Sequence, residues 1–483
     1  MTEQLVATDA STLLIGGEWR GGRKVFDVHD PATLETIGTA ADADAADAVD
    51  AMDAAAHGFG TWRRTNVEER AGLLRAAAAR IRGDAARLAA LMTAENGKPL
   101  AEAAGEVLSS ARMLEWAAEQ GRRADGRVTP AGAGGPGLVV RAPVGPVLAI
   151  TPWNFPGSML VRKVGLALAA GCSVIVKPAE QTPLIGTALI RLIAEDLPAG
   201  ALQSLTTTRP AELVAPLLTD RRLRKISFTG STEVGLHLVR STQQQLRRMS
   251  LEMGGHSPAL VFDGADLDHA AAGVVATKFA NAGQSCISIN RLFVQRSIHD
   301  RFVDLLHERV AGLVVGHGAA EGTQVGPLID AAGLEKVERH VTDAVQHGAN
   351  VLTGGRRWAG NENLRGAFFE PTLLDGCTDD DLIATEETFG PVLPVFVFDS
   401  EEEAVARANA TDYGLAAYLY SNDVGRTWRV ADALDFGVVG VNEPFPVRPE
   451  LPFGGMKNSG QDREGGSEGI DAYLDSKSVA IRI

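Results

Sequence analysis

The chain has 483 residues, of which 45% are hydrophobic and 22% charged, a balance that excludes a disordered or fibrous polymer and leaves length for two or three domains with large cores. With 61 acidic against 46 basic residues the net charge is −15, which argues against binding nucleic acid or anionic membrane through bulk charge but leaves room for small anions in local pockets. Cys172, Cys286 and Cys377 lie far apart and form no CxxC pair; that argues against a disulfide framework or zinc ribbon and fits a reducing compartment.

At the N-terminus, MTEQLVATDASTLLIGGEW carries acids and no basic stretch before an apolar core, so no secretory signal is expected. The longest nearly apolar run, Val164 to Val176, is thirteen residues with two glycines, too short to span a bilayer. The expectation is a cytoplasmic protein with no membrane partner and no nucleic-acid partner.

Residues 14–40 read as short strands and turns. An Ala/Asp-rich helix follows, with Val49, Met52, Ala56 and Phe59 at helical spacing. Residues 66–95 give a second helical stretch through Leu73, Leu74, Ile81, Leu88 and Leu91, stopped by Asn96-Gly97 and Pro99. Residues 101–120 form another, ended by Gly121. The Gly- and Pro-rich segment 126–146 reads as an extended ribbon. Beyond it strands and helices alternate: VLAITP, then SMLVRKVGLALAAG; SVIVKP, then PLIGTALIRLIAEDL; KISFTG, then STEVGLHLVRSTQQQL. This alternation predicts βαβ units and a parallel sheet. A second α/β series starts near residue 258, with strands at ALVF, LFV, NVLTGG, PVFVF and VGVN. The fold class is therefore α/β: two α/β domains and an extended arm.

Gly132-Ala-Gly134-Gly135-Pro-Gly137 matches G-x-G-x-x-G, but the dinucleotide fingerprint needs a strand before it and a helix opening from it. Here a Pro-Gly loop leads into a strand, LVV, so the segment reads as a loop.

Cys286 sits among polar and small residues in KFANAGQSCISINRLFV, whereas Cys172 in ALAAGCSVIV has the apolar surroundings of a structural thiol. Cys377 reads as a loop residue. Cys286 is a nucleophile candidate, although a lone cysteine is also compatible with a structural role. Glu252 precedes Gly254-Gly255, where missing Cβ atoms allow close approach to a ligand; a turn with a solvated acid is the alternative. TPWNFP (151–156) and KPAEQTP (177–183) each follow a strand, and the carboxyl ends of strands are where open α/β sheets bind ligands.

With FTGSTEVG (228–235), LEMGG (251–255), FANAGQSC (279–286), EETFGPV (386–392) and PFGGMKNSG (452–460), these segments resemble the aldehyde dehydrogenase family along essentially the whole chain. The resemblance implies a Rossmann-like coenzyme domain without the usual glycine fingerprint (1–121 with 146–252), an α/β catalytic domain (253–455), and a β-ribbon oligomerisation arm with a C-terminal tail (122–145 and 456–483), assembled as a homodimer or homotetramer. It implies Cys286 as nucleophile, Glu252 as general base and Asn154 as oxyanion donor. Lys177 and Glu180 would hold the adenosine ribose, Gly230 and Ser231 the pyrophosphate, and Glu387 and Phe389 the nicotinamide end. Thr151, Pro152 and Trp153 would line the coenzyme site, and Glu464 would stand as a second acid near the water path. No metal is implied, and no metal-ligand spacing appears. A carboxylate at Glu180 would accept from a ribose 2′-hydroxyl and repel a 2′-phosphate, so the expected cofactor is NAD, with NADP as the alternative.

Within the family the chain most resembles the succinate-semialdehyde dehydrogenase group, through MLVRKVGLALAAGCSVIVKPAEQTP, AENGKPLAEA and QVGPLID. Arg162 matches the arginine that grips a substrate carboxylate there. Two departures stand out: Ala280 replaces a usual arginine, and NEPFPVRPEL brings in Arg448, which is expected to supply the missing charge. The expected substrate is a carboxylated semialdehyde such as succinate semialdehyde. Alternatives are aliphatic or aromatic aldehydes, or 2-oxoglutarate semialdehyde. A CoA-acylating enzyme would generally lack Glu252, a cysteine hydrolase would pair Cys286 with a histidine such as His256, and a non-catalytic homologue would have lost one of Cys286, Glu252 and Asn154.

Overall fold

The computed structural model describes residues 10–130, 136–243, 245–360 and 363–481. Two large sheets organise it. In the first, five parallel strands run Leu202–Ser204, Val174–Lys177, Val147–Ile150, Lys225–Thr229, Arg248–Glu252 across the sheet. Counted along the chain, that order is 3-2-1-4-5, the dinucleotide-binding arrangement, with its switch point between Val147–Ile150 and Lys225–Thr229. Antiparallel strands flank both edges: Thr12–Ile15 with Glu18–Gly21 on one side, Gly460–Gln461 on the other.

The second sheet is ordered Asn350–Thr353, Thr372–Asp375, Val392–Phe398, Ile289–Gln295, Ser257–Val261, Ala416–Tyr420, Val438–Val441, parallel except at the first pair. A third, antiparallel sheet joins Leu474–Ala480, Gly137–Pro143 and Arg127–Thr129. Gly137 opens a strand, as its reading required; residues 131–135 of the glycine-rich stretch lie outside the described residues, as do residues 1–9 of the segment read for a secretory signal.

Three helix readings change in detail. Helix Ala45–Trp62 buries Ala48, Ala51, Met52, Ala55, Gly58 and Trp62, while Val49 is exposed. Small residues win this face because a Cβ on Gly58 would lie 2.2 Å from the Gly200 carbonyl carbon. The stretch 66–95 is two helices, Val67–Gly83 and Ala85–Asn96, parted at Asp84. Gly97 caps the second with φ +89°, the left-handed state glycine favours. Gly121 does not end its helix, which runs Leu100–Arg122; it permits close packing, since a Cβ there would lie 3.0 Å from the Ala169 carbonyl oxygen.

Candidate active site

A cavity of about 660 Å³ opens at the switch point of the first sheet, where Pro152 and Trp153 follow one strand and Gly230 and Ser231 follow the other. Cys286, Asn154, Arg162, Glu387 and Phe389 also line it. The chain thus brings together side chains separated by more than two hundred residues.

Cys286 stands just before strand Ile289–Gln295, after a turn in which Asn281 and Ala282 take positive φ. Gly283 (φ +76°) fits because a Cβ there would lie 2.1 Å from the Gly390 carbonyl oxygen. Gly255 is equally constrained: its Cβ would sit 2.1 Å from the carbonyl oxygen of Cys286. The two glycines of LEMGG therefore let the segment after Glu252 lie directly against the cysteine loop. Burial, and then the charges of Glu387 and Glu252, push the Cys286 thiol up to about 12; its own N–H and Arg162 oppose this.

Asn154 is buried, and its Nδ2 donates to the Gln284 carbonyl oxygen at 3.1 Å. Asn281 Nδ2 donates in turn to the main-chain oxygen of Asn154 at 2.9 Å. The carboxamide and the thiol loop are thereby tied to one another.

Glu252 ends strand Arg248–Glu252 and is buried, yet neither carboxylate oxygen has a hydrogen-bond partner among the described residues. Burial and the neighbouring charge of Glu464 push its carboxyl well above the usual range, against Lys163, Arg162 and Arg463. Glu464 itself accepts from Lys163, both being buried.

Lys177 Nζ donates to Glu180 Oε2 at 2.6 Å, beyond the carboxyl end of Val174–Lys177. The Thr151 N–H reaches the Lys177 carbonyl oxygen at 3.1 Å, joining the two loops. Ser231 caps helix Thr232–Ser241, accepting from Val234 N; a helix N-terminus at the cavity edge suits a phosphate. Glu387 accepts from Gly255 N at 3.0 Å, and burial raises its carboxyl to about 7. Phe389 (φ +56°) sets its ring edge-on to Trp153, centroids 5.6 Å apart. Of these groups Trp153, Ser231, Glu387, Phe389 and Cys286 line the cavity, and the donor set fits a dinucleotide.

Arg162 lies on helix Pro156–Ala170, 4% exposed, with its guanidinium 4.9 Å over the Phe453 ring. Its Nε and Nη1 are buried with no partner among the described residues. An unpaired buried cation is costly, and a substrate carboxylate would satisfy it.

Arg448 does not join it. Its Nη2 donates to Glu443 Oε2 at 2.8 Å and the side chain is 60% exposed. The loop instead offers Phe445 and Val447 to the cavity. The local acid, five residues back, captures the cation that sequence reasoning assigned to the pocket. His256 is occupied as well: its Nε2 pairs with the Ala384 carbonyl oxygen, and among the described residues no hydrogen bond links it to Cys286. All three cysteines are free; Cys377 is outside the named strands and helices but buried. Among the described residues one trio of conceivable metal ligands, Asp343, His347 and Asp381, exists away from the cavity wall. Sequence reasoning missed the Lys163 partner of Glu464 and the cavity role of Phe453, although both lie in quoted motifs.

A thiol, a buried carboxylate and a carboxamide donor thus gather beside a dinucleotide-type switch point. The pattern of the Aldehyde dehydrogenase family matches residues 19–479, and the chain belongs to that family. It is 49% identical over 470 residues to the mitochondrial succinate-semialdehyde dehydrogenase of Rattus norvegicus, covering 96% of this chain and 89% of that protein. It is 43% identical over 473 residues to an Escherichia coli K12 succinate-semialdehyde dehydrogenase whose name specifies NADP(+), covering 97% of each. Among solved structures, a succinate-semialdehyde dehydrogenase from Burkholderia pseudomallei superposes with a TM-score of 0.96 at 44% identity, over 99% of both chains. The protein is an NAD(P)-dependent aldehyde-oxidising enzyme. Among the described residues no helix is long and apolar enough to cross a membrane.

Proposed function

We propose that the enzyme oxidises a carboxylated semialdehyde, succinate semialdehyde in the first instance, with NAD preferred over NADP. The observation that carries the substrate is the buried guanidinium of Arg162 on the cavity wall, whose Nε and Nη1 have no partner among the described residues. Two relatives named for succinate semialdehyde support it. Glu180 supports NAD, because its carboxylate would repel a 2′-phosphate; the relative named for NADP(+) keeps the alternative open to test.

Lys177 and Glu180 would hold the adenosine ribose, Gly230 and Ser231 the pyrophosphate, and Glu387 and Phe389 the nicotinamide end, with Thr151, Pro152 and Trp153 lining the coenzyme site. NAD, when bound, supplies a hydride acceptor. Cys286 adds to the aldehyde carbon, and the resulting oxyanion meets the Asn154 carboxamide and the Cys286 N–H, donors of a kind worth ~10²–10³ in rate each. Sulfur then serves as leaving group from the thioester. Glu252 takes the proton of the attacking water, with its carboxyl raised by burial and by the charge of Glu464.

In this reading residues 1–121 with 146–252 bind coenzyme, 253–455 carry the thiol, and 122–145 with 456–483 serve assembly as a homodimer or homotetramer. A cytoplasmic site of action fits three free thiols. The test is kcat/KM for succinate semialdehyde, 2-oxoglutarate semialdehyde, butanal and benzaldehyde, each with NAD and NADP. A preference for butanal or benzaldehyde overturns the substrate assignment.

A further inference from the structure

Asn154 sits in a turn that no regular element fixes: Phe155 has φ −130° and ψ 68°, and helix Pro156–Ala170 begins only after it. Two prolines stiffen the turn but do not orient the Asn154 carboxamide. Behind it lies a buried ion pair. Lys98 is 1% exposed, and its Nζ is 2.6 Å from Glu106 Oε2 and 2.8 Å from the main-chain oxygen of Asn154. The same ammonium lies 4.1 Å over the Phe155 ring. Glu106 Oε1 accepts from the Gly157 and Ser158 N–H groups at 2.9 and 3.1 Å. The pair therefore grips both ends of the turn, main chain before the helix and N–H groups within its first turn.

Burying such a pair costs desolvation that an apolar pair of similar volume would avoid, so stability alone does not account for it. We propose that Lys98, clamped by Glu106, is a positioning residue that sets the Asn154 carboxamide against the thiol loop. This rests on the reading of Asn154 as oxyanion donor. With one Nδ2–H committed to Gln284, the other must be aimed at the developing oxygen, and a shift of about 1 Å in such a donor costs ~10²-fold in rate. The Asn154 contact concerns the aldehyde oxygen, common to every substrate, so its loss is blind to a distant carboxylate.

The experiment compares Lys98→Met, the charge-neutral pair Lys98→Met/Glu106→Gln, Asn154→Ala, and Lys98→Met in the Asn154→Ala background. Pre-steady-state NADH formation is followed on succinate semialdehyde and butanal, with NAD binding measured by fluorescence. The charge-neutral pair removes both buried charges and serves where Lys98→Met does not fold. Expected is a ~10–100-fold slower first turnover on both aldehydes, unchanged NAD binding, and little further loss when Lys98→Met is added to Asn154→Ala, the non-additivity of residues acting through one group. Wild-type first-turnover rates, or losses that add fully to those of Asn154→Ala, overturn the proposal. Wild-type rates in Asn154→Ala alone overturn the oxyanion reading beneath it, and the proposal with it.

Discussion

Glu464 holds the ammonium that Glu252 lacks. Lys163 is bonded to Glu464, while both oxygens of Glu252 are buried without a partner among the described residues. After burial, the charge of Glu464 is the largest cause raising the Glu252 carboxyl, and Lys163 acts in the lowering direction. Glu464→Gln should therefore lower the Glu252 pKa twice over, by removing the repelling charge and by releasing Lys163 from its pair. The pH profile of thioester hydrolysis, measured in single turnovers, should move its rising limb to lower pH. An alkaline shift would rule out this electrostatic account.

Glu252→Gln should separate the two half-reactions. One equivalent of NADH forms, and steady turnover falls ~10²–10⁴-fold, the usual worth of a general base. The fold should not suffer. A folded pKa above the unfolded one means that the protonated carboxyl favours folding below the unfolded value. That advantage is lost as pH rises through the folded value. Glutamine cannot ionise, so melting temperature at neutral pH should hold or rise. Loss of the first-turnover NADH would instead mean that Glu252 also activates the thiol.

Cys286 in the coenzyme-free protein should behave as a high-pKa thiol, since burial pushes it up to about 12. Alkylation by iodoacetamide should climb roughly tenfold per pH unit between pH 7 and 10, because the thiolate is the reacting form. A plateau below pH 9 would contradict that environment. Cys286→Ser should abolish turnover, by ~10³-fold or more as for other lost nucleophiles, while NAD still binds.

Much of this site was legible because its residues sit in local motifs with backbone duties. A Cβ on Gly255 or Gly283 would lie 2.1 Å from a carbonyl oxygen, which only glycine avoids, so their pattern is visible in one dimension. Pairings made by the fold are not. Lys163 and Glu464 are 301 positions apart, and nothing in either segment names the other. Arg448 shows the converse error: a charge in the expected loop, taken by Glu443 close by in the chain. Strand Leu202–Ser204 escaped notice because it is only three residues long, and Ala416–Tyr420 because it is buried throughout and shows no polar alternation. The helix Ala45–Trp62 was placed but its face was not, since close packing at Gly58 favoured small residues over large apolar ones.

Glu180→Ser should relax the choice of coenzyme. Its carboxylate lies 2.6 Å from the Lys177 ammonium and in the proposed reading accepts from a ribose hydroxyl and repels a 2′-phosphate. Without it, Lys177 is left to attract that phosphate. The ratio of kcat/KM with NAD to that with NADP should fall by about tenfold or more, the effect of one lost charged contact. An unchanged ratio would show that Glu180 does not face the ribose.

The substrate assignment turns on Arg162. Its guanidinium is stacked on Phe453, and its Nε and Nη1 have no partner among the described residues; a carboxylate would engage Nη2 together with one of them through paired hydrogen bonds. A charge-assisted bond is worth about 1.5–3 kcal/mol. Arg162→Ala should accordingly lower kcat/KM for succinate semialdehyde roughly tenfold to more than a hundredfold, whereas butanal, lacking the carboxylate, should change little. Arg448→Ala is the internal comparison: its cation is spent on Glu443 in solvent, so neither aldehyde should register its loss. Equal losses on both aldehydes in Arg162→Ala would make the residue a structural support of helix Pro156–Ala170. A selective loss in Arg448→Ala would mean that the loop swings inward during turnover and that two cations, not one, read the substrate.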